Sequence, residues 1–175
     1  FITALTILLP ISLTINLLQV SKDYRHVQAP FYRQVLTLSI PCVVLCLLLV
    51  TTLKLNIGSI VGLFLIVAAL KSVYVPFNRL IESLVRYERT YFIVMGIVHG
   101  LTNLGGSLLT AIIHSKPYDK DQTRATTAVS YGTFALFQLV TLGISLGPSA
   151  IATSATVLYM AVGVSMFLAT ELLLY

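Results

Sequence analysis

An all-α bundle of transmembrane helices is what this sequence predicts, and three observations carry the prediction. Of its 175 residues, 57% are hydrophobic and 10% charged, with a mean hydropathy of +0.94, far from the composition of soluble globular chains. The apolar residues gather into six runs close to the length of about 20 residues that a helix needs to cross a bilayer. Charges, prolines and turn formers collect between those runs. Inside lipid every backbone N–H and C=O must find a partner within the segment, so such runs become helices.

The first run, Phe1 to Val20, contains Pro10 and then a polar line, Ser12, Asn16 and Gln19, whose spacing places it on one face. Ser21 to His26 reads as a wet loop. The second run, about Val35 to Leu53, is aliphatic apart from Ser39, Pro41, Cys42 and Cys46. The two cysteines lie one turn apart on an apolar helix and read as small buried hydrophobes, neither a bridge nor a metal site. The third run, Ile57 to Val75, holds Lys71 where a long side chain can reach the headgroups. Residues 76–90, with Leu80, Ile81, Leu84 and Val85 set against Arg79, Arg86 and Arg89, predict an amphipathic linker lying in the interface.

The fourth run, Tyr91 to Ile113, is the one that matters for function. At what should be membrane depth it carries His99, Thr102, Asn103, Ser107 and the pair Gly105-Gly106. Backbone that leaves the helical path in hydrocarbon is tolerated only where protein packs around it or a watery cavity meets it. Interrupted helices of this kind carry the substrate sites of secondary transporters, because a half-helix presents unpaired amides and a positive dipole end. The competing reading is a Gly96-xxx-Gly100 packing seam followed by a tolerated kink. The fifth run, Thr126 to Ser145, has a stripe of Thr127, Tyr131, Phe134, Gln138, Thr141 and Ser145. Serine and threonine are at home in helix contacts; Gln138 is the hardest to explain that way. Gly147-Pro148 ends it, and the sixth run extends from Ser149 to Leu174, with Glu171 at the interface.

If all six runs cross, Lys22, Arg25, Arg33, Lys71, Arg79, Arg86 and Arg89 fall on one side, and Lys54, Lys116, Lys120 and Arg124 on the other. Seven against four places the loops after runs one and three in the cytoplasm. A re-entrant fourth segment would change that count. The net charge of +5 is scattered over short loops, with no nucleic-acid motif. There is no His-Glu-x-x-His, no paired carboxylates and no Gly-x-Ser-x-Gly in the apolar runs, so enzyme, cofactor and metal readings are set aside.

Thr14-Ile-Asn-Leu-Leu-Gln19 in the first run is echoed by Thr133-Phe-Ala-Leu-Phe-Gln138 in the fifth. The echo predicts a two-repeat organisation, with 1–75 the remainder of a first repeat and 91–175 a second, incomplete one. The same offset places the counterpart of His99 and Gly106 ahead of Phe1, so a further glycine-broken helix is expected upstream.

Asn16-Leu-Leu-Gln19, the proline-bearing apolar helix, and the glycine-rich fourth run followed by Asp119-Lys-Asp-Gln-Thr-Arg-Ala-Thr126 together resemble the sulfite exporter and permease family of the TauE/SafE type. That resemblance implies a two-repeat membrane protein that moves small sulfur-containing or carboxylate anions. It departs from the family pattern in having His99 ahead of the glycines and the thinner cluster Asn103-Leu-Gly-Gly.

The expected substrate site is built of donors without carboxylates: the amides of Gly105 and Gly106, the Asn103 carboxamide, and the hydroxyls of Ser107 and Thr102. Gln138, Gln19 and Asn16 are expected to close around the same anion. His99 is the candidate proton carrier, because histidine titrates near neutral pH; the plainer reading is a hydrogen-bonded packing residue. The function expected is carriage of a small anion by alternating access at a site between two repeats. The expected partners are that anion, the lipid bilayer and a second copy of the chain, in a bacterial inner membrane. The alternative is a lipid-linked sugar flippase, disfavoured by the shortage of cations within the runs, or a non-transporting scaffold subunit.

Overall fold

The computed structural model describes residues 1–73, 87–151 and 153–174, and among these it consists of helices and their connections, with no strand. The helices are α1, Ile2–Asp23; α2, Ala29–Thr52; α3, Gly58–Val73; α4, Glu88–Thr102; α5, Gly106–His114; α6, Lys120–Leu146; and α7, Ser154–Leu174. Among the described residues four helical stretches are long and apolar enough to cross a membrane, Ile2–His26, Ala29–Thr52, Lys120–Leu146 and Ala155–Leu172. The chain is a multi-pass, all-α membrane protein. The expected linker 76–90 falls mostly outside the described residues; within it, Glu88 to Thr90 form the first turn of α4.

Several boundaries differ from the sequence reading, each for a local reason. The supposed wet loop after Val20 is still helix: α1 continues to Asp23, whose side chain is buried, followed by a 3-10 turn at Tyr24–His26. α6 begins at Lys120 because Asp119 caps it reciprocally, its side chain accepting from the Gln122 amide at 2.8 Å while Gln122 accepts from the Asp119 amide. α2 starts at Ala29 and passes through a π-helical turn at Val35–Ser39. Pro41 follows that turn and lacks the N–H that a regular α-helical ladder would require of it.

The chain divides into two compact units. The first comprises Phe1–Tyr32 and Tyr118–Tyr175. In it Asp23, at the end of α1, meets Arg124 near the start of α6, and Asn16, earlier in α1, lies against Gly132, later in α6; these two helices are antiparallel. Thr14 lies against Gly163 and Lys22 pairs with Glu171, so α7 runs parallel to α1. Leu5, Leu9, Ala128, Phe134, Ala135 and Leu142 are buried in this unit.

The second unit, Arg33–Pro117, is organised by α2 and α4. A Cβ on Gly96 would lie 2.5 Å from the Ser39 carbonyl, and one on Gly100 2.7 Å from the Val43 carbonyl. Only hydrogen side chains allow backbones that close, which is the small-residue seam the sequence offered as the competing reading. The pairs advance together along both helices, so α2 and α4 are parallel. Ser39 Oγ donates to the Phe92 carbonyl at 2.8 Å and ties them further.

The fourth run is not one continuous helix. The Tyr91 hydroxyl donates to the Leu108 carbonyl at 2.7 Å, Lys116 pairs with Glu88, and Gly105 rests on Met95 and His99. A straight or merely kinked helix would hold Tyr91 and Leu108 about 25 Å apart at 1.5 Å per residue. α5 therefore folds back along α4, and the two form a helical hairpin. The fifteen residues of α4 span about 22 Å, short of the roughly 30 Å hydrocarbon layer.

Candidate functional site

The turn of this hairpin is built by four residues. Asn103 ends α4 in the left-handed conformation (φ 59°), its amide donating to the His99 carbonyl at 2.8 Å; asparagine tolerates this backbone better than most side chains. Thr102 supports it from both sides, its hydroxyl donating to the Val98 carbonyl at 2.7 Å and accepting from the Leu104 amide at 3.1 Å. Gly105 follows because nothing larger fits: a Cβ there would lie 2.5 Å from that of His99 and 3.0 Å from the Met95 carbonyl. α5 then starts at Gly106 with no side-chain cap, the amides of Leu108 and Leu109 both reaching the Gly105 carbonyl.

Among the described residues the amides of Gly105, Gly106 and Ser107 have no acceptor, and no hydrogen bond engages the Asn103 carboxamide. The Gly105 and Gly106 amides and the Asn103 carboxamide are donors the sequence assigned to an anion, joined here by the Ser107 amide at one helix start where the dipole favours negative charge, whereas the Thr102 hydroxyl is spent on the Val98 carbonyl. Ser107 is exposed, its hydroxyl only 3.4 Å from the Leu104 carbonyl. His99 lies beneath Gly105 and is buried, 4% exposed, at the base of the turn.

The remaining predicted residues belong to the other unit. The Asn16 carboxamide donates to the Ser12 carbonyl at 2.7 Å and approaches the Ser12 hydroxyl at 3.2 Å. Gln19 donates to Asp23, which also accepts from Arg124 Nε at 2.9 Å. Arg124 in turn reaches Asp121 at 3.3 Å. The pairing of Asp23 with Arg124 carried no sequence signal, since the two lie 101 residues apart in the chain.

Gln138 is different from both. It is 0% exposed, and neither its amide nitrogen nor its oxygen has a hydrogen-bond partner. The hydroxyls along the same helix satisfy themselves on their own backbone: Ser130 on Thr126, Thr133 on Val129 and Thr141 on Phe137, each at 2.7 Å. A glutamine cannot fold back so economically, so it stands out as a buried polar group awaiting a partner.

Among the described residues no cluster of three histidine, cysteine or carboxylate side chains could hold a metal. No protein-family model, curated protein or solved structure matches this chain.

Proposed function

We propose that the protein is a membrane carrier for a small anion, with the turn of the α4–α5 hairpin as the anion-binding element. The observation that carries the reading is the group of unengaged donors at that turn: the Gly105, Gly106 and Ser107 amides beside the Asn103 carboxamide. Several N–H groups converging at a helix start replace the hydration of an anion without requiring a cation inside the membrane. Gln138 enters the proposal as a second polar group, in its own unit, whose unmet hydrogen bonds are available to a solute or to water. The resemblance to the TauE/SafE type, itself part of this proposal, supplies the substrate class: sulfite, organosulfonates or small carboxylates.

The test is uptake and efflux of sulfite, a sulfonate and a small carboxylate by vesicles containing the purified chain. Losing one hydrogen bond to a charged group corresponds to about tenfold in affinity, so Asn103→Leu should raise the half-saturating concentration by about that factor. Transport by Asn103→Leu and Gln138→Leu equal to that of the unmodified chain would remove the assigned residues, and no transport of any anion would leave the scaffold reading in its place.

A further inference from the structure

The hairpin changes which charges share a side of the membrane, and that bears on orientation. In the first unit, antiparallel α1 and α6 put Lys22 and Arg25 at the same end as Lys120 and Arg124. Parallel α7 brings Glu171 to that end as well. The opposite end of this unit, around Phe1 and Gly147 to Thr153, has no lysine or arginine among its described residues.

The second unit by itself repeats the pattern. Parallel α2 and α4 put Arg33 and Arg89 at one end, and the returning α5 brings Lys116 there to meet Glu88. Lys54 is alone at the other end among the described residues. Each unit by itself is thus lopsided among its described residues, Lys22, Arg25, Lys120 and Arg124 against none in the first, and Arg33, Arg89 and Lys116 against Lys54 in the second, apart from Lys71 near the end of α3. Were α4 and α5 a single crossing helix, Lys116 would fall at the end of the second unit that holds Lys54 and not beside Glu88. An imbalance of this kind specifies an orientation, because lysine and arginine in short loops are retained on the cytoplasmic side and attracted to its anionic headgroups.

We infer that the α4–α5 hairpin enters the membrane from the cytoplasmic side and returns to it, with its mouth at Glu88 and Lys116 on the cytoplasmic lipid surface and the Asn103–Gly105 turn within the bilayer. Loops 53–57 and 147–153 then face the outside. The inference concerns sidedness alone and does not depend on any anion being carried.

Single cysteines introduced as Arg25→Cys, Ser115→Cys, Leu55→Cys and Ser149→Cys, in a chain with Cys42→Ala and Cys46→Ala, test it with a membrane-impermeant maleimide. The Leu55 and Ser149 variants should label in intact cells, and the Arg25 and Ser115 variants only after permeabilisation. Labelling of Ser115→Cys in intact cells, with Arg25→Cys protected, would make the hairpin a crossing helix and overturn the inference. The fully inverted pattern would overturn the orientation. The unmodified chain offers a second measurement that no folding defect can confuse: trypsin should cut after Arg25 and Lys120 in inside-out vesicles only, and cutting after Lys120 in right-side-out vesicles would refute the assignment.

Discussion

Gln138 sets two requirements against each other. A buried amide with neither atom paired costs about 1–3 kcal/mol of stability relative to a satisfied one, yet Gln138 sits in the interior of the longest described helix. Leucine fills nearly the same volume and has no polar atoms to satisfy. Gln138→Leu is therefore expected to unfold in detergent at a temperature equal to or above that of the unmodified chain, and under the proposed carrier function to lose anion transport. A melting temperature lowered by the substitution would show that the carboxamide holds the fold together. Asn16 and Gln19 have their donors engaged within α1, so the same polar residue type serves two different needs a few turns apart. Their sequence contexts are alike, as the echo between Thr14–Gln19 and Thr133–Gln138 records, and only the packing distinguishes them.

At the scale of elements, the seam between α2 and α4 and the return of α5 are both set by glycines. Gly96 and Gly100 face Ser39, Cys42, Val43 and Cys46 with backbone contact, so a larger residue must push two helices apart. Gly96→Val or Gly100→Val should cost about 1–3 kcal/mol or more through overpacking. Gly62 in α3, where an added Cβ meets nothing within 4 Å, is the control: Gly62→Ala should leave stability unchanged or raise it by about 0.5–1 kcal/mol through backbone entropy. Thermal unfolding of the three variants in one detergent measures the contrast, and equal losses in all three would contradict the seam. The sequence presented the Gly96-xxx-Gly100 seam and the interrupted helix as rival explanations of one stretch. The structure holds both the seam and the interruption, since α4 packs on α2 through its glycines and ends at Asn103.

For the whole molecule, the apolar surface is larger than water would permit. α7 exposes Val157, Leu158, Met166 and Leu172, with only 6% of its apolar window buried, an area that lipid covers and a soluble monomer would not display. The chain is expected to stay in the membrane fraction through an alkaline carbonate wash and to be released by detergent alone; release by carbonate would argue for peripheral attachment. At this scale the charge balance also acquires meaning. The seven-to-four division counted from six crossings and the imbalance within each unit favour the same side for the loop after α1, but they disagree on Lys116, Lys120 and Arg124.

What the sequence determined by itself was the class of the molecule and the place where its regularity fails. Hydropathy over windows of about twenty residues is a local property, and so is the intolerance of hydrocarbon for Asn103, Gly105 and Ser107. The capping box at Asp119 and Gln122 is local chemistry too, yet the sequence reading began this run at Thr126 and the structure starts α6 at Lys120. What only the tertiary structure decided was the direction of the chain after Asn103, the pairing of Asp23 with Arg124, and the absence of a partner for Gln138. Each of these depends on residues brought together from distant parts of the chain, as Tyr91 and Leu108 are, and a one-dimensional pattern assigns a helix no return path.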